Sequence, residues 1–312
     1  MEESKMAITP TGQPVNRTNI NLPNEVSTEI LQKVQESSMI MQLARQISLP
    51  GTGLQIPVIA SDPEAAWITE GGTKPVSFPT LDKKIMQGHK LAVIVPFSEE
   101  FRRDARALYD ALVDRLPGVL AEKFDKTVFF GPTSGSLANF DNFSAITAVS
   151  LASSVYGGLV SADINVSEQG GMINGYVFSP QGRGMLLSAL DGQNRPLFTT
   201  GTANGDIPGI LGAPTHFTKS AYKAGAAASG SDPAVPDVVG FAGDWTHAMY
   251  GIVSAMNVSI SDQATLTYTD ANSQTVTLNL WQQNMFAVRA EIEVGFAAET
   301  AYFNALTRTH SA

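Results

Sequence analysis

The side chains that carry most enzyme and metal chemistry are few in this sequence and are not spaced for it. The four histidines lie at positions 89, 216, 247 and 310, and no two of them have the i, i+4 spacing of paired zinc ligands on a helix. Cysteine is absent, which excludes disulfide bonds and thiolate chemistry. We therefore predict no catalytic residue, no metal site and no cofactor.

Two glycine-rich segments have the composition of reactive or phosphate-binding loops but lack the required register. GTANGDIPGILG, residues 201–212, has no lysine after it to reach a phosphate, so a surface loop explains it better. In GPTSG, residues 131–135, Ser134 is out of register for a GxSxG nucleophile elbow. Glu291 and Glu293 share one face of a predicted strand, and we interpret that face as solvent-exposed rather than catalytic.

The composition indicates a protein that works as an assembly. Only 16% of the 312 residues are charged, whereas about 25% is usual for soluble globular domains. We interpret the shortage of charge as surface that a partner covers. The formal net charge is −9 with no basic stripe, which argues against tight nucleic-acid binding. No apolar run reaches the roughly 18 residues of a membrane-spanning helix, so no membrane partner is predicted.

A long protruding hairpin is predicted within residues 53–100. Two strand-like runs flank a polar stretch rich in glycine and proline, and a connection of this length is uncommon in a compact domain. It carries Trp67, a large side chain that is costly to leave in water. We predict an outgoing strand that starts at Leu54 and a returning strand at residues 90–97. The tip is expected to pack on another copy of the chain.

Helical periodicity marks two segments before residue 131. Residues 25–47 predict a helix with a break near Ser37. Residues 98–130 predict a helical segment that Ser98 caps. Either two helices meet at Pro117 or one long helix kinks there, and we favour the kinked helix. The apolar side of the second helix consists of Leu108, Leu112, Leu116, Leu120, Phe124 and Val128, widened by Val119 and Phe129.

The second half of the chain predicts shorter elements and completes an α+β fold of two lobes. Residues 137–275 are rich in glycine, serine, alanine and asparagine, and residues 219–237 read as a mobile loop. Residues 276–300 predict a long strand or strand pair that returns to the first lobe. The other predicted elements are a buried strand at residues 173–179, a helix at 180–190, and strands at 238–244 and 248–254.

Taken together, these segments resemble the major capsid proteins of tailed phages, which have the Hong Kong 97-type fold. AAWITEGGTKPVSFPTLDKKIMQGHKLAVIVPFSEEF is similar to the extension loop of the family, and ARALYDALVDRLPGVLAEKFDKTVFFG is similar to its spine helix. GYVFSPQGRGMLLSALDGQNRPLF is similar to a strand and helix of its axial domain and is the most specific match. The resemblance covers most of the chain, from about residue 22 to residue 307.

The resemblance implies a division of the chain into the parts of that fold. It places an N-terminal arm at residues 1–24, an N-terminal helical segment at 25–50 and the extension-loop β-hairpin at 51–97. The peripheral domain, with the spine helix and the long strands, takes residues 98–136 and 276–312. The axial domain takes residues 137–275.

The function implied by the resemblance is self-assembly through hexamers and pentamers into an icosahedral head. The head would enclose double-stranded DNA without sequence-specific binding, and would be assembled in the cytoplasm of the host bacterium as part of the virion. A separate scaffolding protein, a portal and a decoration protein are the further implied partners. An encapsulin-type shell that encloses cargo enzymes is the alternative within the same fold. A soluble α+β enzyme with a lid at residues 61–83 is the alternative outside it.

Nine residues are predicted to lie at contacts between subunits. Trp67 is interpreted as the anchor of the loop tip, and Glu70 as a salt-bridge partner beside it. Some members of the family crosslink a loop lysine to an asparagine of a neighbour, but no acceptor is evident here and no crosslink is predicted. The predicted interface consists of Trp67, Glu70, Lys74, Phe78, Lys83, Lys84, Arg102, Arg103 and Arg106.

Overall fold

The computed structural model describes residues 38–61, 80–133, 135–198, 209–228, 233–270 and 274–310, together with 63, 65, 67, 68, 73, 74 and 76–78. The predicted arm, the predicted helix up to residue 37, and Glu70 lie outside these residues. The elements are α1 (Met39–Leu43), β1 (Arg45–Ser48), β2 (Leu54–Ser61), β3 (Thr80–Met86), β4 (His89–Ser98), α2 (Glu99–Asp104), α3 (Arg106–Phe130), β5 (Thr147–Ser150), α4 (Val155–Glu168), β6 (Gly175–Phe178), α5 (Pro180–Leu187), β7 (Thr215–Phe217), β8 (Asp237–Gly243), β9 (Ala248–Ser261), β10 (Thr265–Thr269), β11 (Thr275–Asn279), β12 (Met285–Ala298) and β13 (Phe303–Arg308).

Two larger sheets and two ribbons contain these strands. The first sheet has the order β1-β9-β12-β4, and α2 and α3 pack on it. The second sheet has the order β5-β13-β8-β6-β7, and α4 and α5 pack on it. Strands β2 and β3 form one ribbon, and β10 and β11 form the other. This arrangement confirms the predicted α+β class.

One aromatic core joins the two sheets. The ring of Phe143 stacks on Phe303 of β13 with centroids 4.6 Å apart, and it lies 6.0 Å from Phe241 of β8. Its edge also contacts Phe296 of β12, at 5.8 Å. Because β8 and β13 belong to the second sheet and β12 to the first, this cluster fastens the two sheets to each other.

The sheets cut across the predicted boundary at residue 275. Strand β9 precedes that boundary yet pairs with β12 in the first sheet, whereas β13 follows it yet pairs with β5 and β8 in the second. The chain therefore passes between the sheets after β8 and again after β12, in addition to the connection from α3 to β5. The division into peripheral and axial domains stays a prediction.

The predicted returning strand of the hairpin is wrong. Strand β2 pairs with β3, with Leu54 opposite Met86, and not with β4. Strand β4 lies at the edge of the first sheet, antiparallel to β12, where Leu91 and Val93 pack toward α3. Packing of β4 against α3 favours its place at the edge of the first sheet. The sequence of β4 by itself does not specify that place. Pro96 suits this edge position, because a proline has no amide hydrogen to donate to a further strand.

The first helix is shorter than predicted. Ser38 caps it by accepting a hydrogen bond from the Met41 amide at 3.2 Å, and the buried carboxylate of Asp125 accepts one from Met39 at 2.8 Å. The helix ends at Leu43, and the expected helical residues up to 47 form β1 instead. Parallel pairing of β1 with β9 supplies backbone partners that override the local helical pattern.

The long helix follows most of its predicted pattern. The Ser98 hydroxyl accepts a hydrogen bond from the Phe101 amide at 3.1 Å, which confirms the predicted cap. Leu116, Leu120, Phe124 and Val128 are buried, as is Phe129. Val119 was expected to widen the apolar side, but it is 48% exposed. A break at Ala105 that was not predicted separates α2 from α3.

Pro117 lies inside the continuous helix α3. A proline in a helix removes one backbone hydrogen bond and crowds the carbonyl of residue 113, at a cost of ~3 kcal/mol. We expect Pro117→Ala to raise the free energy of unfolding by up to that amount, measured by urea denaturation of the unassembled subunit. Val119→Ala, an exposed change on the same helix, is the control and should change it by less than ~0.5 kcal/mol. An unchanged or lower value for Pro117→Ala would contradict this prediction and show that the Pro117 ring contributes packing that offsets its cost.

The second half matches its predicted elements with shifted ends. The buried strand at residues 173–179 is confirmed as β6, and the helix after it is confirmed as α5, which ends at Leu187. The predicted strand at residues 248–254 extends to Ser261 as β9. Residues 276–300 contain β11 and β12, which pair with different strands. One bridge joins Lys223 of the loop at 219–237 to Val238 of β8, and another joins Ala226 to Val235 within the loop.

Candidate subunit interface

The base of the β2–β3 hairpin is fixed to its own subunit. Met86 of β3 is fully buried in a cluster with Leu49 and Ala297. The ammonium group of Lys84 forms a salt bridge with Asp141 at 2.8 Å and donates a hydrogen bond to the carbonyl of Ala298. Lys84, one of the predicted interface residues, is therefore engaged inside the subunit, where it ties β3 to the end of β12.

The far end of the hairpin presents apolar side chains to solvent. Trp67 is fully exposed, Phe78 is 82% exposed and Val76 is 76% exposed. The predicted interface residues Lys74 and Lys83 are exposed on the same segment. Exposed apolar groups gathered on one element mark an interaction surface, and an isolated two-stranded ribbon is marginally stable without packing. This end of the hairpin is therefore suited to lie against another surface.

The three predicted interface arginines meet in one cleft, which we name the arginine cleft. It has a volume of about 800 Å³ and lies between the start of the long helix and the ends of β9 and β12. Arg102 pairs with Glu99 at 2.8 Å, and its guanidinium lies 4.8 Å from the centre of the Phe286 ring. The lining consists of Glu99, Glu100, Arg102, Arg103, Arg106, Tyr109, Asp110, Ile260 and Asn284.

Two of the three arginines of the cleft keep most of their side-chain surface in water. The side chains of Arg103 and Arg106 are 72% and 85% exposed, and their partners are Asp104 at 2.9 Å and Asp110 at 3.8 Å. Exposed ion pairs of this kind contribute at most about 1 kcal/mol, so these guanidinium groups are able to exchange partners. Burial raises the pKa of the Tyr109 phenol, and the charge of Arg102 opposes that shift. Tyr109 thus stays a neutral hydrogen-bonding group in the cleft.

The structure adds interface candidates that the sequence interpretation missed. Ile68 and Val76 are exposed on the hairpin, Ile260 lines the arginine cleft, and Trp281 is exposed in the turn before β12. The sequence does indicate that Trp281 is exposed, because it stands in NLWQQN and polar residues typical of a turn follow it directly. The sequence does not indicate that Ile260 is exposed, because its exposure depends on where β9 ends relative to the long helix.

The described part of the chain offers no arrangement for metal chemistry. Within it, no group of three or more His, Cys, Asp or Glu side chains is placed to hold a metal ion. Among the described helices, none is both long and apolar enough to cross a membrane. The notable geometry of this protein is therefore a fixed hairpin with an uncovered end and a separate charged cleft.

Comparison with known sequences identifies the family. The sequence model of the phage capsid family matches residues 19–306. The chain belongs to the phage capsid family. This capsid chain is 26% identical over 299 residues to a probable major capsid protein of Mycobacterium phage D29, with 93% of this chain and 91% of the relative covered. It is 26% identical over 281 residues to the major capsid protein of Staphylococcus phage 80alpha, with 88% and 80% covered.

Solved structures confirm the fold of the capsid chain. A structure from Gordonia phage Cozz superimposes with a TM-score of 0.72 at 20% identity, covering 93% of this chain and 92% of that one. A structure from Mycobacterium phage Ogopogo has a TM-score of 0.72 at 17% identity, covering 94% and 98%. The predicted resemblance to tailed-phage capsid proteins is confirmed, and the encapsulin-type alternative is not favoured.

Proposed function

We propose that this chain is the major capsid protein of a tailed phage and that it assembles through hexamers and pentamers into an icosahedral head around double-stranded DNA. The observation that carries the proposal is the β2–β3 hairpin, whose base is anchored by Lys84 and whose far end leaves Trp67 uncovered. Ordering such a segment costs conformational entropy that contacts with a neighbour offset. Its role is structural, and membership of the capsid family supports it.

The contact that builds the capsomer is proposed to join the hairpin of one subunit to the arginine cleft of the next. Residues 62–70 of the loop contain Asp62, Glu64 and Glu70 and no lysine or arginine. The cleft presents Arg103 and Arg106 to solvent. Two different, complementary surfaces on one chain give head-to-tail contacts, and such contacts form rings when the rotation between neighbouring subunits closes. The hairpin would thus lie over the first turns of the neighbouring spine helix.

The remaining partners follow from the same role. We propose a separate scaffolding protein, a portal and a decoration protein as partners, and assembly in the host cytoplasm before the shell becomes part of the virion. The net charge of −9 suits a shell that encloses DNA without binding it tightly or by sequence.

Trp67→Ala tests the proposed function. We expect the substitution to weaken each contact by about 2 kcal/mol, which raises the concentration needed for assembly roughly 30-fold. Light scattering and electron microscopy measure the shells, and the melting temperature of the unassembled subunit should not change, because Trp67 contacts no core. Met172→Ala, which removes another exposed apolar side chain away from the hairpin, is the matched control.

Two outcomes would contradict the proposal. If the wild-type chain stays monomeric under all conditions, with scaffolding protein present, it is not a shell protein. If Trp67→Ala lowers the melting temperature of the isolated subunit as much as it lowers assembly, Trp67 belongs to the subunit's own core.

A further inference from the structure

The side chain of Asn174 fastens the start of β6 to the short segment between β8 and β9, residues 244–247. Its Nδ2 donates a hydrogen bond to Oδ1 of Asp244 at 2.7 Å, and its Oδ1 accepts one from the Trp245 amide at 2.8 Å. The backbone amide of Asn174 also donates to the Gly243 carbonyl, at 3.3 Å. Both ends of the side-chain amide therefore have a partner on the same segment.

The residue after Asn174 has to be a glycine. The indole ring of Trp245 lies against Gly175, and a Cβ atom there would come within 2.8 Å of the Trp245 Cδ1 atom. The indole Nε1 also donates a hydrogen bond to the Gly175 carbonyl at 3.1 Å. Trp245 is buried, and its ring packs on the edges of Phe143 and Phe303 in the central core. The packing therefore requires the dipeptide Asn174–Gly175 at this place.

An asparagine followed by a glycine is the pair most prone to spontaneous deamidation. The backbone nitrogen of the glycine attacks Cγ of the asparagine and forms a cyclic succinimide, while the side-chain nitrogen takes up the amide proton and leaves as ammonia. Water then opens the ring at either carbonyl group and leaves aspartate or isoaspartate. Glycine favours the reaction because no side chain obstructs the approach of its nitrogen. The sequence contains two such pairs, and the other, Asn204–Gly205, lies outside the described residues.

Asn174 is open to water but is held in a position that opposes this reaction. The residue is exposed and lines an open cleft of about 560 Å³. Ring closure requires the side chain to rotate until its Cγ meets the backbone nitrogen of Gly175, and the hydrogen bonds to Asp244 and Trp245 would have to break first. Gly175 itself is buried and lies opposite Gly243 in the antiparallel pairing of β6 with β8. Hydrogen bonding, rather than exclusion of water, therefore protects the pair.

An aspartate at position 174 would not satisfy the same partners. The largely buried carboxylate of Asp244 accepts the bond from Asn174 on Oδ1, the same oxygen that accepts from the amide and the hydroxyl of Thr246. A carboxylate at position 174 has no hydrogen to donate to Asp244, and it would place two negative charges at hydrogen-bond distance. Isoaspartate would in addition lengthen the main chain at the start of β6. Either product weakens the attachment of Trp245 to β6.

We propose that Asn174–Gly175 is a site of spontaneous deamidation, and that the folded subunit suppresses the reaction by holding the Asn174 side chain between Asp244 and Trp245. A chain that opens at β6 loses this protection, and it changes irreversibly because the product does not rebuild the same contacts. The inference goes beyond the proposed function and does not depend on it. In a virion, where no synthesis replaces damaged subunits, the same hydrogen bonds would preserve the shell.

Mass spectrometry of peptic peptides measures the reaction in the wild-type unassembled subunit and needs no variant. In guanidinium chloride, which unfolds the chain, Asn174 and Asn204 should deamidate at similar rates, because only the chemistry of the pair then matters. In the folded subunit, Asn174 is expected to react at least about tenfold more slowly than in the unfolded chain. Equal rates for Asn174 in the folded and unfolded chain, or no reaction of Asn174 in the unfolded chain, would overturn the proposal.

Asp244→Ala tests whether the hydrogen bonds provide the protection. Without the carboxylate, Asn174 is expected to deamidate about tenfold faster than in the wild type, at a temperature at which both subunits are folded. The matched control is Asp237→Asn, which destabilises the subunit from the opposite end of β8 and leaves the partners of Asn174 in place. Equal acceleration in both variants would mean that the reaction needs global unfolding, and it would overturn the role of the hydrogen bonds, as would an unchanged rate in Asp244→Ala.

Asn174→Asp tests the consequence of the reaction. We expect this substitution to lower the melting temperature of the unassembled subunit by about 5 °C, because a hydrogen bond is lost and two carboxylates face each other. Gln263→Glu makes the same change from amide to carboxylate at an exposed position and should leave the melting temperature as in the wild type. A melting temperature of Asn174→Asp equal to that of Gln263→Glu would overturn the claim that deamidation damages the fold.

Discussion

Asp237→Asn is expected to destabilise the unassembled subunit by about 2–3 kcal/mol, because it leaves the partly buried Arg308 and His310 without the carboxylate that they share. Asp237 is 1% exposed. Arg308 donates to its Oδ2 from two nitrogens, each at 3.0 Å, and His310 Nδ1 lies 2.6 Å from Oδ1. The Gly225 amide donates to Oδ1 at 2.8 Å. One carboxylate thus binds the end of β13 and the loop before β8.

The same cluster predicts how stability depends on pH. Burial alone would raise the pKa of the Asp237 carboxyl, but hydrogen bonds from Gly225, His310 and Arg308 outweigh burial and lower the pKa to about 2. A lowered pKa in the folded state means that the contribution is complete above the ordinary value of 3.8 and is lost as the pH falls toward 2. Urea denaturation between these pH values should show a steeper loss of stability in the wild type than in Asp237→Asn.

The control for this prediction is Asp262→Asn, which changes an exposed carboxylate on the surface. It should alter the free energy of unfolding by less than ~0.5 kcal/mol and leave its pH dependence as in the wild type. A stability of Asp237→Asn within 1 kcal/mol of the wild type would contradict the prediction. That outcome would mean that the neutral amide satisfies Arg308 and His310 as well as the carboxylate does.

Reversing the charge of the arginine cleft is expected to have the largest effect on assembly. Arg103→Glu combined with Arg106→Glu would place like charges against the acidic loop of the neighbour, and should raise the concentration needed for assembly by roughly 100-fold or more. The free energy of unfolding of the subunit itself should hardly change, because both side chains are exposed. Sedimentation of assembly products and urea denaturation of the subunit measure the two effects.

Two further variants decide whether the effect comes from the loop. Glu64→Arg combined with Glu70→Arg should impair assembly with wild-type clefts and restore it when placed in the same chain as the reversed cleft. Lys123→Glu combined with Lys126→Glu makes the same charge change on the same helix outside the cleft and should assemble as the wild type does. Assembly by the reversed cleft alone, at wild-type concentrations, would exclude this cleft as the docking surface. The wild-type contact should also weaken as salt is added.

Local sequence determined the elements whose stabilising partners lie a few residues away. The Ser98 cap needs only the amide of Phe101, and the i, i+4 series from Leu116 to Val128 needs only helical periodicity. The buried strand β6 and the helix α5 after it were predictable for the same reason. The length and polarity of the segment around Trp67 likewise predicted a protruding hairpin, and Trp67 is exposed on it.

Tertiary structure alone decided the features that depend on distant partners. The strand β1 replaces predicted helix because β9, some two hundred residues later, pairs with it. The returning strand is β3 rather than β4 because α3 and β12 bind β4. Tertiary structure also decided the arginine cleft, the Asp237 cluster and the contact of His247 with Glu299, because each of them joins residues that are far apart in the chain. A periodic pattern specifies which face of an element is apolar, but it does not specify which other element covers that face.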